Sequence, residues 1–107
     1  MRKKEADFAT AAATKAATHL GDLVRQARLA RSWTQQGLAE RARIGLATLK
    51  RVEGGAVEVS LGGWLAVLEV LGLLPLIDAL RDPASAALLD ATRRRRARPR
   101  QAVDLDF

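Results

Sequence analysis

The sequence predicts an all-α protein of four or five helices, and three observations carry that prediction. Leu, Val and Ala recur at steps of three and four through most of residues 19–81, the spacing of one face of a helix. Ser, Thr, Gly and Pro interrupt this pattern at short intervals, in the order that starts and stops helices. The chain has 107 residues, with 49% apolar and only 4% aromatic, which suits one small core of Leu, Val, Ile and Ala plus tails.

The elements follow in order. Residues 1–18, rich in Ala and Thr, form an N-terminal extension, either a frayed continuation of the first helix or an arm. Over residues 19–31, Leu20, Leu23, Val24, Ala27 and Ala30 line one face, while Arg25, Arg28 and Arg31 lie off it. Ser32-Trp33 interrupts, and Thr34 caps a second helix over 35–42 that buries Leu38, Ala39 and Ala42. Arg43-Ile44-Gly45 is a tight turn into a third helix over 46–53, with Leu49 and Val52 inward and Gly54-Gly55 as its stop. After a loop at 56–59, Ser60 caps a fourth helix to Leu71, closed by Gly72. Leu61, Leu65, Leu68 and Leu71 pack inward there, and Trp64 and Val67 lie on a neighbouring face, as core or interface. Pro75 suits the first turn of a short fifth helix over 76–81, which Asp82-Pro83 stops. Residues 84–92 add a turn or two, and the arginine block 93–100 stands outside regular structure. The domain therefore spans 19–82, between the extension at 1–18 and a basic tail at 83–107, both tails flexible.

Charge is distributed unevenly. Residues 25–51 hold seven cations (Arg25, Arg28, Arg31, Arg41, Arg43, Lys50, Arg51) against Glu40 alone, a net of +6. Residues 53–90 hold Arg81 against Glu53, Glu58, Glu69, Asp78, Asp82 and Asp90, a net of −5, and residues 91–107 carry +4. A basic stripe this confined is the footprint of a polyanion reader or, more blandly, a solvated helix face.

Several function classes are excluded. With no Cys, there are no disulfides, thiolate metal sites or thiol nucleophiles. His19 is the lone histidine, so neither a metal nor a cofactor is expected. No Gly-rich phosphate loop follows a strand, and Glu53 and Glu58 straddle a Gly-Gly break that keeps them from converging, so catalysis is not expected. Aromatic platforms for single-stranded bases are lacking. No apolar run reaches membrane-spanning length, and Met1-Arg2-Lys3-Lys4 has no apolar stretch behind it, so the expected location is the cytoplasm.

Two short helices joined by a three- to four-residue turn make a helix-turn-helix unit. Leu20-Gly21 with Arg28, Thr34-Gln35, the small Ala39, Ile44, Thr48-Leu49 and the run Arg51-Val52-Glu53-Gly54-Gly55 resemble the XRE or lambda Cro-repressor-like family across residues 20–73. The resemblance implies double-stranded operator DNA as ligand, a lambda-repressor-like fold and a homodimer. It implies that Gln35 meets a phosphate through its backbone N–H and side-chain amide, with Thr34 beside it. Leu46, Ala47, Lys50 and Arg51 then stand where such proteins read bases, and Arg43 and Thr48 where they meet phosphates. Arg28 and Glu53 match a structural salt bridge between the first and third helices.

Three departures accompany the resemblance. Arg43 stands where glycine is common, and a left-handed backbone there would cost about 1 kcal/mol. Gly45 replaces a capping Ser or Thr. Leu46 and Ala47 offer thymine-methyl contacts but no bidentate hydrogen bonds. For Arg51 the alternative to DNA is a bridge to Glu40 or Glu53; for Trp33 it is a lid over helix one rather than a sugar-phosphate stack. The arginine block is a DNA clamp, a contact for an acidic partner or a solvated end. The surplus of large apolar residues over 64–80 marks Trp64, Val67, Leu74, Ile77 and Leu80 as a dimer surface. Within the family, the start at Leu20-Gly21, the 68–74 run and the basic tail look most like HipB-type antitoxins, which repress their own operon and neutralise a HipA-like kinase toxin. In that case the acidic 53–90 surface or the 103–107 peptide would dock the kinase. A stand-alone phage- or plasmid-type repressor and a non-specific basic nucleic-acid binder are the alternatives.

Overall fold

A computed structural model describes residues 8–105 as six helices: α1 Ala11–Ala30, α2 Gln35–Ala42, α3 Leu46–Glu53, α4 Leu61–Val70, α5 Leu74–Asp78 and α6 Pro83–Leu105. No strand occurs among the described residues, as the periodicity predicts. The chain divides into two units, residues 1–75 and residues 76–107.

Over residues 11–18 the N-terminal extension is a continuation of the first helix. Ala11 to Thr18 belong to α1, because the Thr10 hydroxyl accepts a hydrogen bond from the Ala13 N–H at 3.0 Å and a run of alanines propagates the helix from that cap. The part of the expected extension at residues 1–7 lies outside the described residues. α1 packs on α3, α2 packs on α3 and α4, and α3 packs on α4. Val24, Leu38, Leu49, Val52 and Val67 are fully enclosed between them, and Ala39, Ala42, Trp64, Leu68 and Leu71 complete the core. The fourth helix is rotated relative to expectation. Its inward stripe is Trp64, Val67, Leu68 and Leu71, and Leu61 is 71% exposed. A stripe starting at Leu61 and one starting at Trp64 share Leu68 and Leu71, so spacing alone does not separate them. Trp64 and Val67 are therefore core within one chain, which removes both from the dimer surface expected of them.

α1 to α4 all end in the same way. After each helix one residue takes a left-handed backbone: Ser32 (φ 57°), Arg43 (φ 56°), Gly55 (φ 72°) and Gly72 (φ 75°). The next N–H reaches back five residues: Trp33 to the Arg28 carbonyl, Ile44 to Ala39, Ala56 to Arg51 and Leu73 to Leu68, at 2.8–3.2 Å. This is the Schellman turn, which satisfies carbonyls that a helix end leaves open, and its following residue commonly packs back on the helix. Trp33, Ile44 and Leu73 do so against the core. Glycine meets the left-handed requirement freely at two of these ends; serine and arginine meet it under strain at the others.

Two glycines set how closely α1 and α3 approach. A β-carbon on Gly21 would lie 2.5 Å from the Val52 carbonyl oxygen and 2.7 Å from the Gly55 nitrogen, and one on Gly55 would lie 2.5 Å from the Thr18 Cα. Backbone touches backbone there, so the end of α3 is fixed to α1 without intervening side chains.

The second unit, with the helix that leads into it, departs most from expectation. α5 spans Leu74–Asp78 rather than 76–81: the turn at Gly72 finishes by Leu73, and Pro75 fits within a first turn that begins at once. Asp82-Pro83 is a helix start and not the stop of α5, which has ended at Asp78. Asp82 Oδ1 accepts from the Ala84 N–H (3.2 Å), Oδ2 accepts from the Ser85 hydroxyl (2.6 Å), and Pro83 takes the first helical position, where no N–H is needed. The Ser85 hydroxyl and then the Ala84 N–H hold the Asp82 carboxyl below its usual pKa. The backbone of the arginine block and of Val103 to Leu105 is helical in α6, so the expectation that the block stands outside regular structure fails. Asp106 and Phe107, the end of the expected docking peptide, lie outside the described residues. Leu76, Ile77, Leu80, Leu88 and Leu89 of this unit are exposed.

Candidate nucleic-acid interface

α2, the turn at Arg43-Ile44-Gly45 and α3 form a helix-turn-helix pair in which Ala39 and Ile44 sit at the crossing. Thr34 begins it: its hydroxyl oxygen accepts from the Gly37 N–H at 2.9 Å, leaving the O–H to donate outward. No described residue accepts from the Gln35 or Gln36 backbone N–H, so the start of α2 presents two donors. Arg43 follows α2 in the left-handed turn and is exposed. Gly45 precedes α3 without a side-chain cap.

Along α3 the structure separates the predicted residues. Ala47, Lys50 and Arg51 are exposed, Leu46 and Thr48 half-buried, and Leu49 and Val52 buried. The Arg51 Nη2 donates to Thr48 Oγ1 at 3.3 Å and not to Glu40 or Glu53. Among the described residues the one ion pair is Arg28 with Glu53, so Arg41, Arg43, Lys50 and Arg51 have no carboxylate partner. Thr34, Arg43, Ala47, Lys50 and Arg51 are thus each solvent-exposed, with Ala47, Lys50 and Arg51 on one face of α3 by their spacing, and Leu46 and Thr48 contribute only partly exposed surface.

Beneath this surface lies a polar knot. Arg28 Nε donates to Glu53 Oε2 at 2.7 Å, its Nη2 to Oε1 at 3.1 Å and its Nη1 to the Trp33 carbonyl at 2.9 Å. The Arg28 and Glu53 side chains are only 10% and 4% exposed. Glu53 ends α3, where the helix dipole disfavours a carboxylate, and the bidentate guanidinium compensates. Gln35 Nε2 joins the knot, donating to Glu53 Oε1 at 3.1 Å. The side-chain amide assigned to a phosphate is therefore partly committed to the interior, with one N–H left over.

Sequence reasoning missed three contacts. The Gln35 bond spans 18 residues and leaves no local signature. Arg31 Nη2 donates to the Leu71 carbonyl at 2.8 Å, closing the end of α4 with a cation. The Arg41 guanidinium lies over the Trp33 ring, 4.3 Å from its centroid, and Nη1 donates to the Gly37 carbonyl at 3.3 Å. An aromatic residue just before a capping threonine, with an arginine two turns on, was the available signal for that stack. Trp33 itself is half-buried against the core, as a lid.

Residues 19–84 match the helix-turn-helix domain family, and the chain belongs to it. It is a member of a DNA-binding class of regulatory domain. No curated protein matches the chain significantly. Among the described residues no helix is long and apolar enough to cross a membrane, and no group of three or more His, Cys, Asp or Glu is placed to hold a metal ion.

Proposed function

We propose that this protein is a sequence-specific DNA-binding repressor that acts as a homodimer by occluding its operator. The observation that carries this reading is the uncompensated charge on the outer face of the helix-turn-helix. A solvated basic face ordinarily pairs its cations with carboxylates three or four residues away, whereas Arg43 and Lys50, each three residues from a glutamate, and Arg51 form no such ion pair among the described residues. Gln35, Thr34, Arg43, Thr48 and Lys50 hold the DNA backbone in this reading, and Arg51, with Leu46 and Ala47 beside it, reads base edges. Exposed Ile77 and Leu80, together with Leu76, Leu88 and Leu89 of the same unit, are the apolar surface for the second copy; Leu74 is half-buried.

Titration of the purified chain, at about 150 mM salt, against the DNA upstream of its coding sequence and against a shuffled duplex tests the reading. Preference of about 100-fold or more supports it; equal binding identifies a non-specific polyanion binder instead. With about four phosphates neutralised per protomer, the log–log salt slope of a dimer is near −7. Lys50→Ala reduces that slope by about one and leaves sequence preference intact, whereas Arg51→Ala relaxes preference at one position per half-site.

The narrower reading is the autoregulating antitoxin of a type II toxin–antitoxin operon that neutralises a HipA-like kinase. It is supported by the resemblance at Leu20-Gly21 and residues 68–74, with the acidic residues of the first unit, exposed Glu58 and Glu69, as docking surface. Kinase capture that survives charge reversal of the exposed Glu58 and Glu69 overturns that docking surface.

A further inference from the structure

We propose that Arg41 is an additional contact to the phosphate backbone of duplex DNA and that Trp33 is its positioning residue; this rests on the DNA-binding reading above. Arg41 is exposed and unpaired by any carboxylate among the described residues, yet its guanidinium is held in place. The Trp33 ring lies 4.3 Å beneath it, and the Gly37 carbonyl accepts from Nη1 at 3.3 Å. The neighbouring acid, Glu40, accepts instead from Gln36 Nε2 at 3.1 Å. Gly37 shows where the held cation sits. A β-carbon there would lie 3.1 Å from Thr34 Oγ1 and 3.3 Å from Arg41 Nη1, so hydroxyl and guanidinium flank one small space that the missing side chain keeps open. Glycine is a poor helix former, and its position inside α2 is accounted for by that opening. A phosphodiester oxygen beside the start of α2 would receive the Thr34 O–H and an Arg41 N–H together. An arginine already stacked on an aromatic ring loses less freedom in binding than a free one.

The test measures salt-dependent binding of the full chain to the upstream duplex and to a shuffled one. Arg41→Gln should reduce the log–log slope by about 0.9 per bound protomer, and weaken binding about fivefold per protomer at about 150 mM salt, equally on both duplexes. Trp33→Leu should weaken the protein carrying Arg41 about threefold and have no effect once position 41 is Gln. A purely structural tryptophan would weaken both backgrounds alike, and that result overturns its positioning role. Wild-type binding with an unchanged slope in Arg41→Gln overturns the contact while leaving the DNA reading intact. A wild-type chain that binds neither duplex overturns both.

Discussion

Replacing Glu53 by leucine tests whether the polar knot holds the domain together. The substitution removes the acceptor of three hydrogen bonds: two from Arg28, at 2.7 and 3.1 Å, and one from Gln35, at 3.1 Å. It leaves a guanidinium that is only 10% exposed with the Trp33 carbonyl as its remaining partner. An uncompensated buried charge of this kind costs about 3–5 kcal/mol. A domain of roughly 65 residues has about 3–10 kcal/mol in total, so the single variant is expected to be marginal or unfolded. At about 4–8 °C per kcal/mol the melting temperature falls by at least about 12 °C. Arg28→Met in the same chain removes the stranded cation, and the double variant should return to within about 2 kcal/mol of wild type, the residue being the unpaired Trp33 carbonyl. Urea denaturation followed by circular dichroism at 222 nm, on the two single variants and the double, gives the coupling energy directly. A Glu53→Leu loss below about 1 kcal/mol, or a double variant as poor as the sum of the singles, would refute the reasoning.

Other variants probe other parts of the fold. Ser32→Gly and Arg43→Gly should each stabilise by about 0.5–1 kcal/mol, the left-handed penalty less glycine's extra unfolded-state entropy; of the two, only Arg43→Gly should also lower the DNA salt slope. Gly21→Ala forces apart two backbones that a β-carbon would meet at 2.5 Å, and should cost about 1–3 kcal/mol or more in the same denaturation assay. Gly62→Ala, whose β-carbon approaches only Ser60 Oγ at 4.0 Å, should instead stabilise α4 by about 0.5–1 kcal/mol. The Asp82 carboxyl titrates lower in the folded chain than in the unfolded one. Its stabilisation of α6 is thus fully present above about pH 4 and is lost as pH falls through the folded value. Helicity of wild type minus that of Asp82→Asn, followed by circular dichroism from pH 6 downward, should shrink over that range; a constant difference would show that the cap does not titrate.

The sequence was most legible where local chemistry sets the structure. Thr34 and the turn at Arg43-Ile44-Gly45 bound α2 and α3 at the residues observed, because a cap and a turn act within four residues of themselves. The left-handed conformation at Arg43 was legible as a departure from glycine, and Arg28 with Glu53 as a spacing shared with a family. What was hidden depended on the third dimension. Leu61 and Trp64 offered two helical stripes, and only packing against α2 and α3 chose between them. Gln35 carries a donor suited to either solvent or Glu53, and 18 residues of separation conceal which it meets. Asp82-Pro83 reads as a stop, yet α5 has ended at Asp78 and Asp82 caps α6, so a reading that took the pair as a stop gave α6 only a turn or two over 84–92.

The turns at the helix ends also determine where this domain tolerates a change of length. After Ser32 only Trp33 and the capping Thr34 precede α2, and after Arg43 only Ile44 and Gly45 precede α3. Neither connection has slack. One extra residue in either would break the back-reaching hydrogen bond or swing the next helix by about 100° about its axis, which in the second connection would reorient Lys50 and Arg51 relative to α2. Past Ala56, whose N–H closes the turn at the end of α3, residues 57–59 join α3 to α4 without such a bond. Insertions and deletions in relatives of this chain should therefore collect between Ala56 and Val59, while the spacing from Arg28 to Glu53 stays constant.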